Sequence, residues 1–104
     1  MVWSMVRNPR KIKPSGESVF TIEMAEKDGT PSKDVEVAFE IEPKDAGTMK
    51  TDKIKTDEKG CAIAIFSASE TIDKDLDVMV RAKWMMGDQE KKSAMIVEIR
   101  PNTT

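Results

Sequence analysis

The chain has 104 residues, room for one domain and too few for two. Seventeen Lys and Arg against 19 Asp and Glu leave a net charge of -2, which argues against a general binder of polyanions. With no His, no Tyr and a single Cys, Cys61, the chain cannot hold a Ser-His-Asp triad, a Cys-His pair, a His-ligated zinc or an intrachain disulfide.

Period-two alternation dominates the chain in order. Val2, Trp3, Met5 and Val6 form an apolar cluster ahead of the basic Arg7, Arg10, Lys11 and Lys13. The cluster reads as a first strand, an inter-domain contact or sequence extraneous to the domain. Around Ile12, before Pro14-Ser15-Gly16, a short strand fits. From Ser18 to Ala25, Phe20, Ile22 and Met24 alternate with Thr21, Glu23 and Ala25, the pattern of a half-buried strand. Lys27 to Pro31 breaks it with turn residues. Val35, Val37, Phe39 and Ile41 then point one way and Glu36, Ala38, Glu40 and Glu42 the other. A helix would scatter those apolar residues, whereas a strand collects them on one face.

Pro43 to Gly47 ends that strand, and Thr48 to Lys55 reads as an edge segment or partly a loop, with only Met49 and Ile54 as large apolar residues. Thr56-Asp57-Glu58-Lys59-Gly60 is a second turn. Cys61 to Ala68 is a strand whose inward face is open to two readings: Cys61, Ile63 and Ile65, or Ala62, Ala64 and Phe66. Apolar residues on both faces predict a central strand, partly covered on its outer side. Its six-residue apolar run, Cys61 to Phe66, is far short of the ~20 residues of a membrane-spanning helix, so no membrane insertion is expected. Ser69 to Asp75 is a polar connection. Leu76 to Trp84 alternates again, Gly87 to Lys92 is a hairpin connection, and Ser93 to Arg100 sets Met95, Val97 and Ile99 on one face. Pro101 to Thr104 reads as a linker or tail. About seven short strands between turns, with no amphipathic helix, predict an all-β fold, an antiparallel β-sandwich over one domain whose core spans about residues 12 to 100.

The turns carry a resemblance. Asp28-Gly29-Thr30-Pro31 followed by Val35-Glu36-Val37-Ala38-Phe39 resembles the D-x-G-x-P-V … V-x-F signature of bacterial immunoglobulin-like domains, the group found in invasin- and intimin-like surface proteins. Thr56-Asp57-Glu58-Lys59-Gly60-Cys61-Ala62-Ile63-Ala64 resembles their T-D-x-x-G-x-A-x-A turn and strand, and Val78-Met79-Val80-Arg81-Ala82 their V-x-V-x-A. The unpaired Cys61 excludes the antibody subclass with its stapling disulfide. The T-D-x-x-G turn also occurs in macroglobulin-like domains of protease-trapping proteins, so by itself it does not choose between these sandwiches. The resemblance implies an immunoglobulin-like module used in strings on a cell surface, with no catalytic residue to carry over.

Individual residues offer little chemistry, and neither a metal nor a cofactor is called for. Cys61 reads as a small apolar strand residue rather than a nucleophile, because only a Lys or Arg could lower its pKa. Asp73, Asp75 and Asp77, with Glu70 nearby, read as a solvated loop; alternate residues in extended chain lie ~7 Å apart, too far for one cation without curvature. Glu23, Glu36, Glu40 and Glu42 fall on solvent-facing positions. Trp84, Met85 and Met86 are the candidate partner contact, Trp84 on the inward register and the methionines at the hairpin, where adaptable side chains and loop ends favour recognition. A basic stretch poor in aromatics gives nucleic acid no stacking surface, so no nucleic-acid partner is expected. Asn102-Thr103-Thr104 matches the glycosylation triplet by chance.

The expectation is a non-catalytic structural or adhesion module from a larger cell-surface protein, with neighbouring domains of the same polypeptide as partners. The alternative is an accessory module of an extracellular enzyme that binds a protein or glycan surface. The stretch Met1 to Arg7 lacks the charged-then-apolar order of an export signal, in tension with the extracellular location that the resemblance implies.

Overall fold

The computed structural model describes residues 2–101, and the glycosylation triplet Asn102-Thr103-Thr104 lies outside them. Nine strands follow in order: β1 (Val2–Asn8), β2 (Lys11–Ile12), β3 (Glu17–Ala25), β4 (Glu36–Glu42), β5 (Gly47–Met49), β6 (Lys53–Lys55), β7 (Cys61–Ala68), β8 (Leu76–Met86) and β9 (Gln89–Ile99), with one 3-10 turn over Lys44–Ala46. They form two sheets, one of four strands in the order β1-β3-β7-β5 and one of five in the order β2-β9-β8-β4-β6. All pairings are antiparallel except β2 with β9.

The count is nine rather than about seven because two segments each split across the sandwich. The N-terminal segment runs along β3 as β1, breaks at Pro9, which has no N–H to continue a ladder, and resumes on the other sheet as β2. The weak stretch after Gly47 is an edge twice over: β5 closes the four-stranded sheet beside β7, and β6 crosses to border β4. The closing hairpin is also tighter than its polar sequence suggests. Met86 pairs with Gln89, so only Gly87 and Asp88 form the loop. Gly87 has φ of 66° at the first central position, as a type II′ turn requires.

The core lies between the sheets. Phe20, Ile22 and Met24 of β3 are buried, as are Val37, Phe39 and Ile41 of β4, Val78, Val80, Ala82 and Trp84 of β8, and Val97 and Ile99 of β9. The open choice on β7 is settled: Ala62, Ala64, Phe66 and Ala68 face inward. Register supplies the reason. Ala64 lies opposite Phe20 and Ala62 opposite Ile22, so small residues flank large ones, as Ala82 does opposite Phe39 in the facing sheet. Alternating volumes let the layers interdigitate at crystal-like density. Buried Ser18 is satisfied by donating its hydroxyl to Pro9 O at 2.6 Å.

The T-D-x-x-G motif is a structural clip. Buried Thr56 donates its hydroxyl to Ser32 O (2.6 Å) and accepts the N–H of Val35 (3.0 Å), tying two loops together. Asp57 Oδ1 accepts the N–H groups of Lys59 and Cys61 at 2.9 and 3.0 Å, which holds its carboxyl below the ordinary 3.8. Gly60 has φ of 80°, and a Cβ there would run into Met24 O, so this position excludes any side chain. Gly60 O in turn accepts Met24 N–H at 2.8 Å, which pins β7 against β3.

Candidate functional site

Trp84 is a core residue, 2% exposed, and its ring meets that of Trp3 edge to face with centroids 5.4 Å apart. Met85 lies on the opposite face of β8, 55% exposed, and Met86 is half-buried at the end of the strand. The three residues predicted as one contact are thus divided between interior and exterior, as alternation in a strand dictates. Met85 borders a shallow hollow of about 330 Å³ with Glu36, Ala38, Lys53 and Lys83. An adjoining hollow of about 390 Å³ continues over Glu40, Arg81, Lys92 and Ala94. Both lie on the outer face of the five-stranded sheet, where charged side chains dominate and Arg81 pairs with Glu42.

The outer face of the four-stranded sheet is different. Val6 of β1, Thr21 of β3 and Ile63 of β7 stand in one cross-strand row, and Val19 and Ile65 in the next. Val6 is 57% exposed and Ile63 50%, and Val2 and Val19 are exposed beside them. Among the described residues no layer covers this side of β7, where Ile63 is 50% exposed and Cys61 and Ile65 are half-buried by their neighbours in the sheet, in place of the expected partial cover. Residue-by-residue reading missed this patch because its members come from three strands. The available signal was the two-faced apolar run Cys61 to Phe66, joined to Val2 and Val6 upstream.

Cys61 sits on the same face, half-buried, its thiol 3.8 Å from Glu23 Oε1. Desolvation first, then the negative charges of Glu23 and Asp57, push its pKa above the ordinary 9.0, away from nucleophilic use at neutral pH. In the acidic loop, Arg100 donates to Asp77 Oδ1 at 2.9 Å and to Glu98 Oε1 at 3.0 Å, with Asp75 at 3.8 Å. Asp77 in turn raises the Arg100 pKa. These carboxylates are held by a guanidinium, and among the described residues no group of three or more His, Cys, Asp or Glu could hold a metal ion. Glu23, Glu36, Glu40 and Glu42 are exposed as expected. No helix of the described residues is long and apolar enough to cross a membrane.

With this geometry in view, comparison with solved structures is informative. The D0-D1 domain structure of intimin superposes with a TM-score of 0.73 at 20% identity, covering 93% of this chain and 46% of that one. The D00-D0 structure of intimin gives 0.68 at 20% identity, over 92% of this chain and 47% of that one. The fold is immunoglobulin-like. The E. coli chaperone DraB follows at TM-score 0.64 and 10% identity, covering 98% of this chain and 57% of that one. This chain therefore spans about half the length of the intimin structures it matches. No protein-family model and no curated protein matches the sequence. The turn motifs resemble those of bacterial immunoglobulin-like domains of the invasin and intimin group, and the likeness of fold is to domain structures of intimin.

Proposed function

We propose that the chain is a non-catalytic immunoglobulin-like module of a larger cell-surface protein, serving as a spacer or adhesion unit between neighbouring domains. One observation carries this reading: the two ends of the domain leave from opposite poles. Trp3 packs on Trp84 near the β8–β9 turn, whereas Arg100 follows Ile99, which pairs with Leu76 at the far end of β8. The sandwich is 46 Å long and 24 by 17 Å across, so copies joined end to end would extend along the strands. The turn motifs fit this role, since Thr56, Asp57 and Gly60 all serve to lock loops.

A glycan-binding accessory role draws less support. Sugar platforms need exposed planar aromatics. Trp84 is buried, and Trp3, 39% exposed, packs against it edge to face, leaving one partly exposed ring rather than a platform. The test is to read the gene with its flanks and to measure scattering from two copies joined through residues 101 and 2. Sibling domains with an export signal upstream, and a rod of about twice the single length, are expected. A solitary reading frame or a folded-back pair would overturn the proposal.

A further inference from the structure

Four strands border the two sheets, and three are poor templates for another chain. β2 is two residues long, β5 three, and β6 is Lys53-Ile54-Lys55. Short edges and lysines are the usual protection of exposed N–H and C=O groups. β1 has neither. It runs seven residues, Val-Trp-Ser-Met-Val-Arg-Asn, with one charge and no proline, and among the described residues pairs on one side only, with β3.

We infer that β1 is the docking edge for a second copy of this chain, pairing antiparallel with its own counterpart across a two-fold axis at Met5. A two-fold perpendicular to a sheet keeps inward residues inward, so only same-face residues can meet. Centring on Met5 uses the whole strand and sets Val2 opposite Asn8, Trp3 opposite Arg7 and Ser4 opposite Val6. The single charge of the strand, Arg7, then lies opposite the partner's Trp3 rather than its own like, and its guanidinium stays directed inward, donating to Met95 Sδ at 3.7 Å in its own chain. On the outer face, Val6 lies diagonal to its symmetry mate and to the partner's Val2, about 7–8 Å away. Val2 and Val6, 62% and 57% exposed in the single chain, lose part of that exposure to the neighbouring strand, and an eight-stranded sheet results from two of four.

Sedimentation equilibrium of the full chain from micromolar to submillimolar concentration tests this, with amide hydrogen exchange on the same samples. Expected are a monomer–dimer equilibrium, β1 amides that slow in step with dimer formation, and unchanged exchange in β5 and β6. Val6→Lys should weaken the dimer about tenfold or more while leaving thermal unfolding of the monomer in place. A monomer at every concentration, a dimer without added β1 protection, or a dimer indifferent to Val6→Lys would overturn the inference. The exchange experiment decides even if the variant fails to fold.

Discussion

The two sheets bury the same kind of inner face and present opposite outer ones. Outside the five-stranded sheet stand Glu36, Glu40, Glu42, Arg81, Lys83 and Lys92, around small Ala38 and Ala94, with Met79, Met85 and Ile96 as scattered apolar members. Outside the four-stranded sheet stand Val2, Val6, Val19 and Ile63, with Cys61 and Ile65 half-buried between them. Since both sheets already have a complete interior, folding alone does not call for the second set. The larger share of the exposed apolar side chains lies on the four-stranded sheet. Interest therefore moves from the predicted Trp84–Met86 corner to the opposite sheet.

The comparison can be broken first at what the sheets share. Phe20→Ala, in the layer common to both, should cost about 3–5 kcal/mol in urea unfolding, whichever outer face is altered alongside it. If the loss were small, the inner layer would not be the common foundation. Trp3→Ala comes next. It removes an edge-to-face pair worth about 0.5–1.5 kcal/mol beyond its buried area, and should shift Trp84 emission to longer wavelength as the indole meets water.

Substitutions on the outer faces sharpen the contrast itself. Ile63→Lys should leave monomer stability within about 0.5 kcal/mol, since half of Ile63 is already exposed, and should reduce binding of an apolar fluorescent dye. Arg81→Ala, which breaks the pair with Glu42 on the charged face, should cost about 0.2–1 kcal/mol and leave dye binding untouched. Equal dye responses would abolish the distinction between the sheets.

The smallest effect is in pH. The Asp57 carboxyl titrates below its ordinary 3.8 in the folded chain, because the N–H groups of Cys61 and Lys59 bind the ionised form. Its contribution to stability is therefore complete above the unfolded value and lost as pH falls through the lower, folded one. Asp57→Asn should remove that acid-side slope by lowering the plateau at neutral pH toward the acid-side level, as a pH series of unfolding midpoints will show. Alkylation of Cys61 should likewise be slow at pH 7 and keep rising with pH to beyond its ordinary 9.0 before levelling off, faster in Glu23→Gln.

Most of the fold was legible because alternation is a local signal. Phe20, Ile22 and Met24, then Val37, Phe39 and Ile41, then Val78, Val80, Ala82 and Trp84, announce their buried faces within their own strands. The turns at Gly29 and Gly60 announce themselves too, since each takes a positive φ that other residues rarely adopt. The candidate site was less legible. Trp84 was correctly expected inside, and alternation sends Met85 out, yet the exposed row of Val6, Thr21 and Ile63 gathers residues from three strands. Nothing local records that they meet.

What the chain determined by itself is the parity of its strands: which residues share a face, and where the backbone must turn. What the tertiary structure alone decided is which face of β7 goes inward and where the ambiguous segments pair. By hydrophobicity Ile63 and Ile65 would be chosen for the interior over Ala62 and Ala64. The opposite holds, because Phe20 and Ile22 on the neighbouring strand already fill that layer, and the pairing across Gly60 fixes the register that brings the alanines beside them. Burial is a property of the space left by neighbours, and that space exists only once the strands are assembled.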